Sequence, residues 1–154
     1  MKRLRGVKEI NDCIEKYIKK WHLKARLSTD FCYFPSKRVV CWTLLVSEKN
    51  DKDFSNFFES LGCKVKADIF IYSLLHEIGH SQTLFLLSDE EYNYSHDRAD
   101  DKTITNEEYF NLPNEIIATK WAVEYLNDHA EEVNNFWSEL QPKILKFYAK
   151  NHIL

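Results

Sequence analysis

The stretch DIFIYSLLHEIGHSQTLFLL, residues 68–87, decides how the chain is read. Ile69, Phe70, Ile71, Leu74, Leu75, Ile78, Leu84, Phe85 and Leu86 make it apolar almost all round, as in a membrane span or a buried helix. His76, Glu77 and His80 interrupt it midway. Two imidazoles and a carboxylate are costly to bury without partners, so the segment predicts a buried central helix whose polar groups serve a chemical purpose.

Outward from that helix, the composition sets the frame. A chain of 154 residues with 44% hydrophobic and 29% charged residues fits one domain, residues 1–154. A domain of that size buries roughly 70% of the surface its unfolded chain exposes, and needs no staples. Three glycines and three prolines exclude collagen-like and linker-rich architectures, and favour helix over a many-turned β fold. The formal charge of −3 argues against a dedicated nucleic-acid binder. No apolar run reaches the roughly 18 residues of a membrane span, and the charged N-terminal stretch has no secretory h-region. Cys13, Cys32, Cys41 and Cys63 lack CxxC spacing. They read as free structural thiols in a reducing cytoplasm, in preference to a four-cysteine zinc site or a disulfide framework.

The flanking segments divide by periodicity. Val7, Ile10, Ile14, Tyr17, Ile18 and Trp21 predict an amphipathic helix over 6–22 with a basic outer face. Residues 29–46 are the clear β region: Phe31 to Phe34, a turn at Pro35-Ser36-Lys37, then Val39 to Val46. That is a hairpin, and its second strand is apolar on both faces, as a central strand would be. Phe54, Phe57, Phe58 and Leu61 share one helix face that ends at Gly62, while Lys64 to Lys66 is undecided. Residues 88–104 read as an acidic loop. Pro113 opens a helix with Ile116, Ala118, Ala122, Tyr125 and Leu126, and a last helical segment from Val133 to Tyr148 is expected to bend or restart at Pro142. The fold class is therefore α+β, with a small antiparallel sheet packed on a largely helical domain and at least five helices.

The chemistry lies in His76-Glu77-Ile78-Gly79-His80. Residues four apart share a helix face, so both imidazoles reach one metal ion, and Glu77 projects about a quarter-turn away toward a metal-bound water. A chance HExxH in a chain this short is roughly a one-in-a-few-hundred event. Imidazole and carboxylate donors with one open position suit zinc. The metzincin pattern places Gly and His three and six residues after the second histidine, where this chain has Thr83 and Leu86. A third ligand from a downstream helix is the other solution, and Glu115 fits it. It lies in the first turn after Pro113, where the helix dipole favours a carboxylate. Ala118 and Ala122 follow on the same stripe and let that helix lie close. Gly79, which costs its own helix about 1 kcal/mol, permits the same approach. The competing reading of Glu115 is a glutamate that only complements the dipole, and His96, Asp97, Asp100 and Glu108 are rival ligands.

Residues 72–80, YSLLHEIGH, together with ExxAxxWA at 115–122, resemble the small gluzincin metallopeptidases of the ImmA/IrrE type found in bacteria, phages and mobile elements. The zincin domains of plasmid antirestriction proteins are similar over the same two helices. The resemblance implies a zincin-like minimal metalloprotease core, with zinc held by His76, His80 and Glu115 and with Glu77 as catalytic base. It also implies a tyrosine or histidine that donates to the oxyanion, and Tyr92, Tyr94 and His96 are the candidates by position. The function expected is zinc-dependent hydrolysis of a peptide bond in a protein or peptide substrate, by a zinc-activated water with Glu77 as general base. An exposed strand edge within 29–46 is expected to align an extended peptide. The alternatives are a zinc-binding interaction or inhibitory protein on the same scaffold, and a metal-free interaction domain docking through its basic first helix. Glu77 counts against a purely structural zinc site, which needs no base.

Overall fold

The apolar stretch folds as expected. In the computed structural model, which describes residues 5–44 and 48–152, Ile69–Thr83 is a helix followed by a short 3-10 turn, Leu84–Leu86. Ten of its residues are buried, His76 and Glu77 among them. Asp68 starts it by accepting a hydrogen bond from the Phe70 N–H (2.9 Å). The turn departs from the expectation of burial, because Phe85 and Leu86 face solvent.

The described residues form seven helices and three strands, in the order α1 (Val7–Ile18), β1 (Lys24–Leu27), β2 (Cys32–Phe34), β3 (Val39–Trp42), α2 (Glu48–Ser60), α3 (Ile69–Thr83), α4 (Asp89–Ala99), α5 (Asn106–Phe110), α6 (Pro113–Asp128) and α7 (Ala130–Lys150). They gather into two compact units. One lies within Met1–Thr43 and His129–Leu154, the other within Leu44–Asp128.

The first unit holds α1, the sheet and α7. Ile10, Ile14 and Ile18 of α1 are fully buried, and so are Val40 and Trp42 of β3. Tyr17 stacks on Phe136 of α7 (3.9 Å between centroids), and the Trp42 indole N–H donates to Asn11 (2.7 Å). The sheet order is β1-β3-β2, so β3 is central, as its two apolar faces predict. The expected antiparallel sheet needs correction: β2 pairs antiparallel with β3, but β1 pairs parallel with it, and the sheet is mixed. β1 is four residues, Lys-Ala-Arg-Leu, and with two charged residues and no β-branched or aromatic one it carries almost no strand signal. Helix α7 runs unbroken through Pro142. Strand β3 ends at Trp42, and part of the strand expected as far as Val46 lies outside the described residues.

The second unit is helical. Gly62 ends the α2 segment with φ of +91°, a conformation open to glycine at no steric cost. Residues 63–68 form no strand. Asn127 of α6 holds this loop through the Lys64 N–H (2.8 Å) and the Gly62 carbonyl (3.0 Å), and the Tyr72 hydroxyl donates to the Val65 carbonyl (3.0 Å). The acidic stretch expected as a loop is largely helix α4. Ser88 and Glu91 close a capping box there, each side chain accepting the other's backbone N–H at 3.1 Å. Arg98 then joins α4 to α5 through Asp101 and Glu108, both at 2.7 Å.

Candidate metal centre

Helices α3 and α6 pack along one another, and glycine makes their close approach possible. A Cβ on Gly79 would overlap the Ala118 carbonyl oxygen and lie 3.0 Å and 3.2 Å from its carbonyl carbon and Cα. Ala118 and Ala122 are themselves fully buried. Small residues on both helices therefore bring two backbones together, so that a short carboxylate on one reaches imidazoles on the other.

Glu115 Oε2 lies 2.6 Å from His76 Nε2 and 3.3 Å from His80 Nε2, and the two imidazole nitrogens are 3.1 Å apart. One ligand atom from each residue falls within 4.8 Å of the others. His76 and Glu115 are buried and His80 is half-buried, its side chain 14% exposed. His96, Asp97 and Asp100 are exposed on and beyond α4, while Glu108 binds Arg98, so none of these rivals joins the group.

Thr119 settles which nitrogen of His76 faces inward. Its hydroxyl has one hydrogen, which it donates to the Glu115 carbonyl (2.8 Å). The oxygen is left as acceptor toward His76 Nδ1, also at 2.8 Å. Nδ1–H therefore donates to Thr119, and Nε2 is the nitrogen that faces Glu115 and His80. A hydrogen bond of this kind on the outer nitrogen is what orients a metal-ligating histidine. Behind the imidazole, the Phe54 ring meets His76 edge-on at 5.3 Å and lies tilted against Phe110 at 5.9 Å, an apolar backing that strengthens charge interactions inside.

The electrostatics are those of three groups in need of a positive charge. Burial pushes the Glu115 carboxyl up, but the charge and hydrogen bonds of His76 and His80 overcome it and hold it well below the usual carboxylate range. Burial pulls His80 down, yet the Glu115 hydrogen bond and the Glu77 and Glu115 charges raise it to about 9. Burial raises Glu77, with His80 and His76 pulling back. The Glu77 side chain is buried and accepts no hydrogen bond among the described residues. Two imidazole nitrogens and an ionised carboxylate converging on one point fit a divalent cation with nitrogen and oxygen preference, which would displace the imidazole protons on binding.

Tyr109 of α5 was not anticipated from the sequence. Its phenol pKa is pushed up by burial and by the Glu115 and Glu77 charges. The ring is nevertheless 37% exposed, so it spans from solvent to the centre. Tyr92, Tyr94 and His96 instead lie on α4. Tyr94 is 54% exposed, Tyr92 rests against His96 at 5.0 Å, and none of the three is among the described hydrogen-bond partners of His76, His80 or Glu115.

No family model, curated protein or solved structure matches the chain.

Proposed function

We propose that this protein is a zinc-dependent metallopeptidase of gluzincin type, resembling the ImmA/IrrE proteins and built on a zincin-like core. The observation that carries the reading is the convergence of His76, His80 and Glu115 within 4.8 Å, with Glu77 buried beside them and unbonded. His76 and His80 would hold the ion through Nε2 and Glu115 through a carboxylate oxygen. Zinc held there would supply a Lewis acid and lower the pKa of water toward about 7. Glu77 takes the proton from the attacking water and passes it to the leaving amine. Its burial, which raises its affinity for a proton, supports that role. Tyr109, whose phenol is affected by the Glu115 and Glu77 charges, is the donor we assign to the oxyanion, in place of Tyr92, Tyr94 and His96. Thr119 keeps His76 in the ligating tautomer.

The substrate is a protein or peptide. No helix among the described residues is long and apolar enough to cross a membrane. No disulfide joins Cys13, Cys32, Cys41 and Cys63, which supports a reducing, cytoplasmic setting.

The test is Glu77→Gln beside wild type on a broad peptide library. Cleavage should fall by about 10²–10⁴-fold while zinc content and melting temperature hold. Full zinc with no cleavage of any peptide by wild type would favour a zinc-binding interaction or inhibitory protein on this scaffold.

A further inference from the structure

Charge is divided unevenly along the chain. Residues 44–128, which carry the metal centre, hold seventeen acidic and seven basic residues, a formal −10, whereas the remaining residues sum to +7. The excess is densest between the two ligand-bearing helices: residues 84–110 hold eight acids against Arg98 and Lys102, and Arg98 is already bound by Asp101 and Glu108. The same segment is studded with exposed apolar side chains. Phe85, Leu86, Tyr94 and Tyr109 lie in it, four of the seven large exposed hydrophobic residues described.

This segment begins and ends at the centre. Leu84–Leu86 continues directly from the helix of His76 and His80. At its other end α4 and α5 pack on the helix of Glu115, where the Asn114 N–H donates to Ser95 of α4 (3.3 Å), and α5 carries exposed Glu107, Glu108 and Tyr109. Glu77, a further carboxylate between the two histidines in sequence, adds to the negative charge at the centre. Acids would repel an anionic chain at this approach and raise the local concentration of a cationic one. The exposed apolar side chains gain only if the occupant covers them.

We propose that the metal centre receives a cationic polypeptide segment bearing apolar side chains, selected by the acidic, apolar-studded segment Leu84–Phe110. This rests on the proposed function and names its substrate class. A folded domain with an acidic surface is excluded as an occupant, and so is an anionic peptide.

Zinc-replete Glu77→Gln protein, full chain, is titrated with two labelled peptides of equal length and equal leucine and phenylalanine content, one with lysines and one with glutamates. Fluorescence anisotropy reads the affinity at low and high ionic strength, and zinc content is measured on the same samples. The lysine peptide should bind about tenfold tighter or more at low salt, with the preference shrinking at high salt. Glu90→Lys/Asp97→Lys/Glu107→Lys should abolish the preference at unchanged zinc content, and the exposure of all three side chains keeps the fold out of the comparison. The neutral triple variant Glu90→Gln/Asp97→Asn/Glu107→Gln should fall between. Phe85→Ser/Leu86→Ser should weaken the lysine peptide without moving its salt dependence. Zinc-loaded protein that binds both peptides equally, prefers the glutamate peptide or binds neither overturns this inference and leaves the proposed function standing. Protein that takes up no zinc overturns both.

Discussion

Thr119→Val keeps the volume of the side chain and removes only its hydroxyl, so it isolates the tautomer argument. Without that acceptor His76 loses the partner of its outer nitrogen, and zinc affinity should fall by roughly 10–100-fold while the fold survives. Competition with a chelating dye checks this, and unchanged affinity would remove Thr119 from the centre. His80→Ala goes further: it should lose metal and melting temperature together, because the free energy of metal binding is part of that of folding. His76, Glu77 and His80 were legible in the sequence because one helical turn places both imidazoles on a common face. Glu115 was legible from its first-turn position and the alanine stripe after it. Thr119 could have been read from the same stripe, four residues after Glu115. Tyr109 could not, since its approach to Glu115 depends on how α5 turns into α6, and no periodicity in a five-residue helix encodes that.

At the scale of elements, the α3–α6 pair depends on a missing methyl group. Gly79→Ala gains about 1 kcal/mol of helix propensity, but its Cβ meets Ala118 backbone, which cannot rotate away. The net effect should be a destabilisation of about 1–3 kcal/mol with weaker zinc binding, read by denaturant unfolding and metal titration. A variant as stable as wild type would mean that the helices can part without cost. The long helices and the central strand were legible because their apolar periods are strong. α4 was hidden by its acidity, though Ser88 and Glu91 spell a capping box. The parallel pairing of β1 was hidden for a different reason. Lys24–Leu27 gains its place from register with Val39–Trp42, a relation between segments that neither segment carries alone.

For the whole molecule, the account predicts that stability follows metal. Chelation should lower the melting temperature reversibly, by the equivalent of about 4 kcal/mol where free zinc had stood a thousandfold above its Kd. Readdition of zinc should restore it, and calcium or magnesium should not, because imidazole donors suit neither. The division of charge between residues 44–128 and the rest also belongs to this scale, and it was present in the sequence throughout. The basic first helix and the acidic stretch at 88–104 are its local signs, while the net charge of −3 averages the whole away. The most direct test of the central claim is zinc content per chain after zinc-replete purification, for wild type, Glu77→Gln, His80→Ala and Glu115→Ala. The account predicts one zinc in wild type and in Glu77→Gln, none in His80→Ala and a strong loss in Glu115→Ala. Zinc-free wild type, or a loss in Glu77→Gln equal to that in His80→Ala, would contradict it.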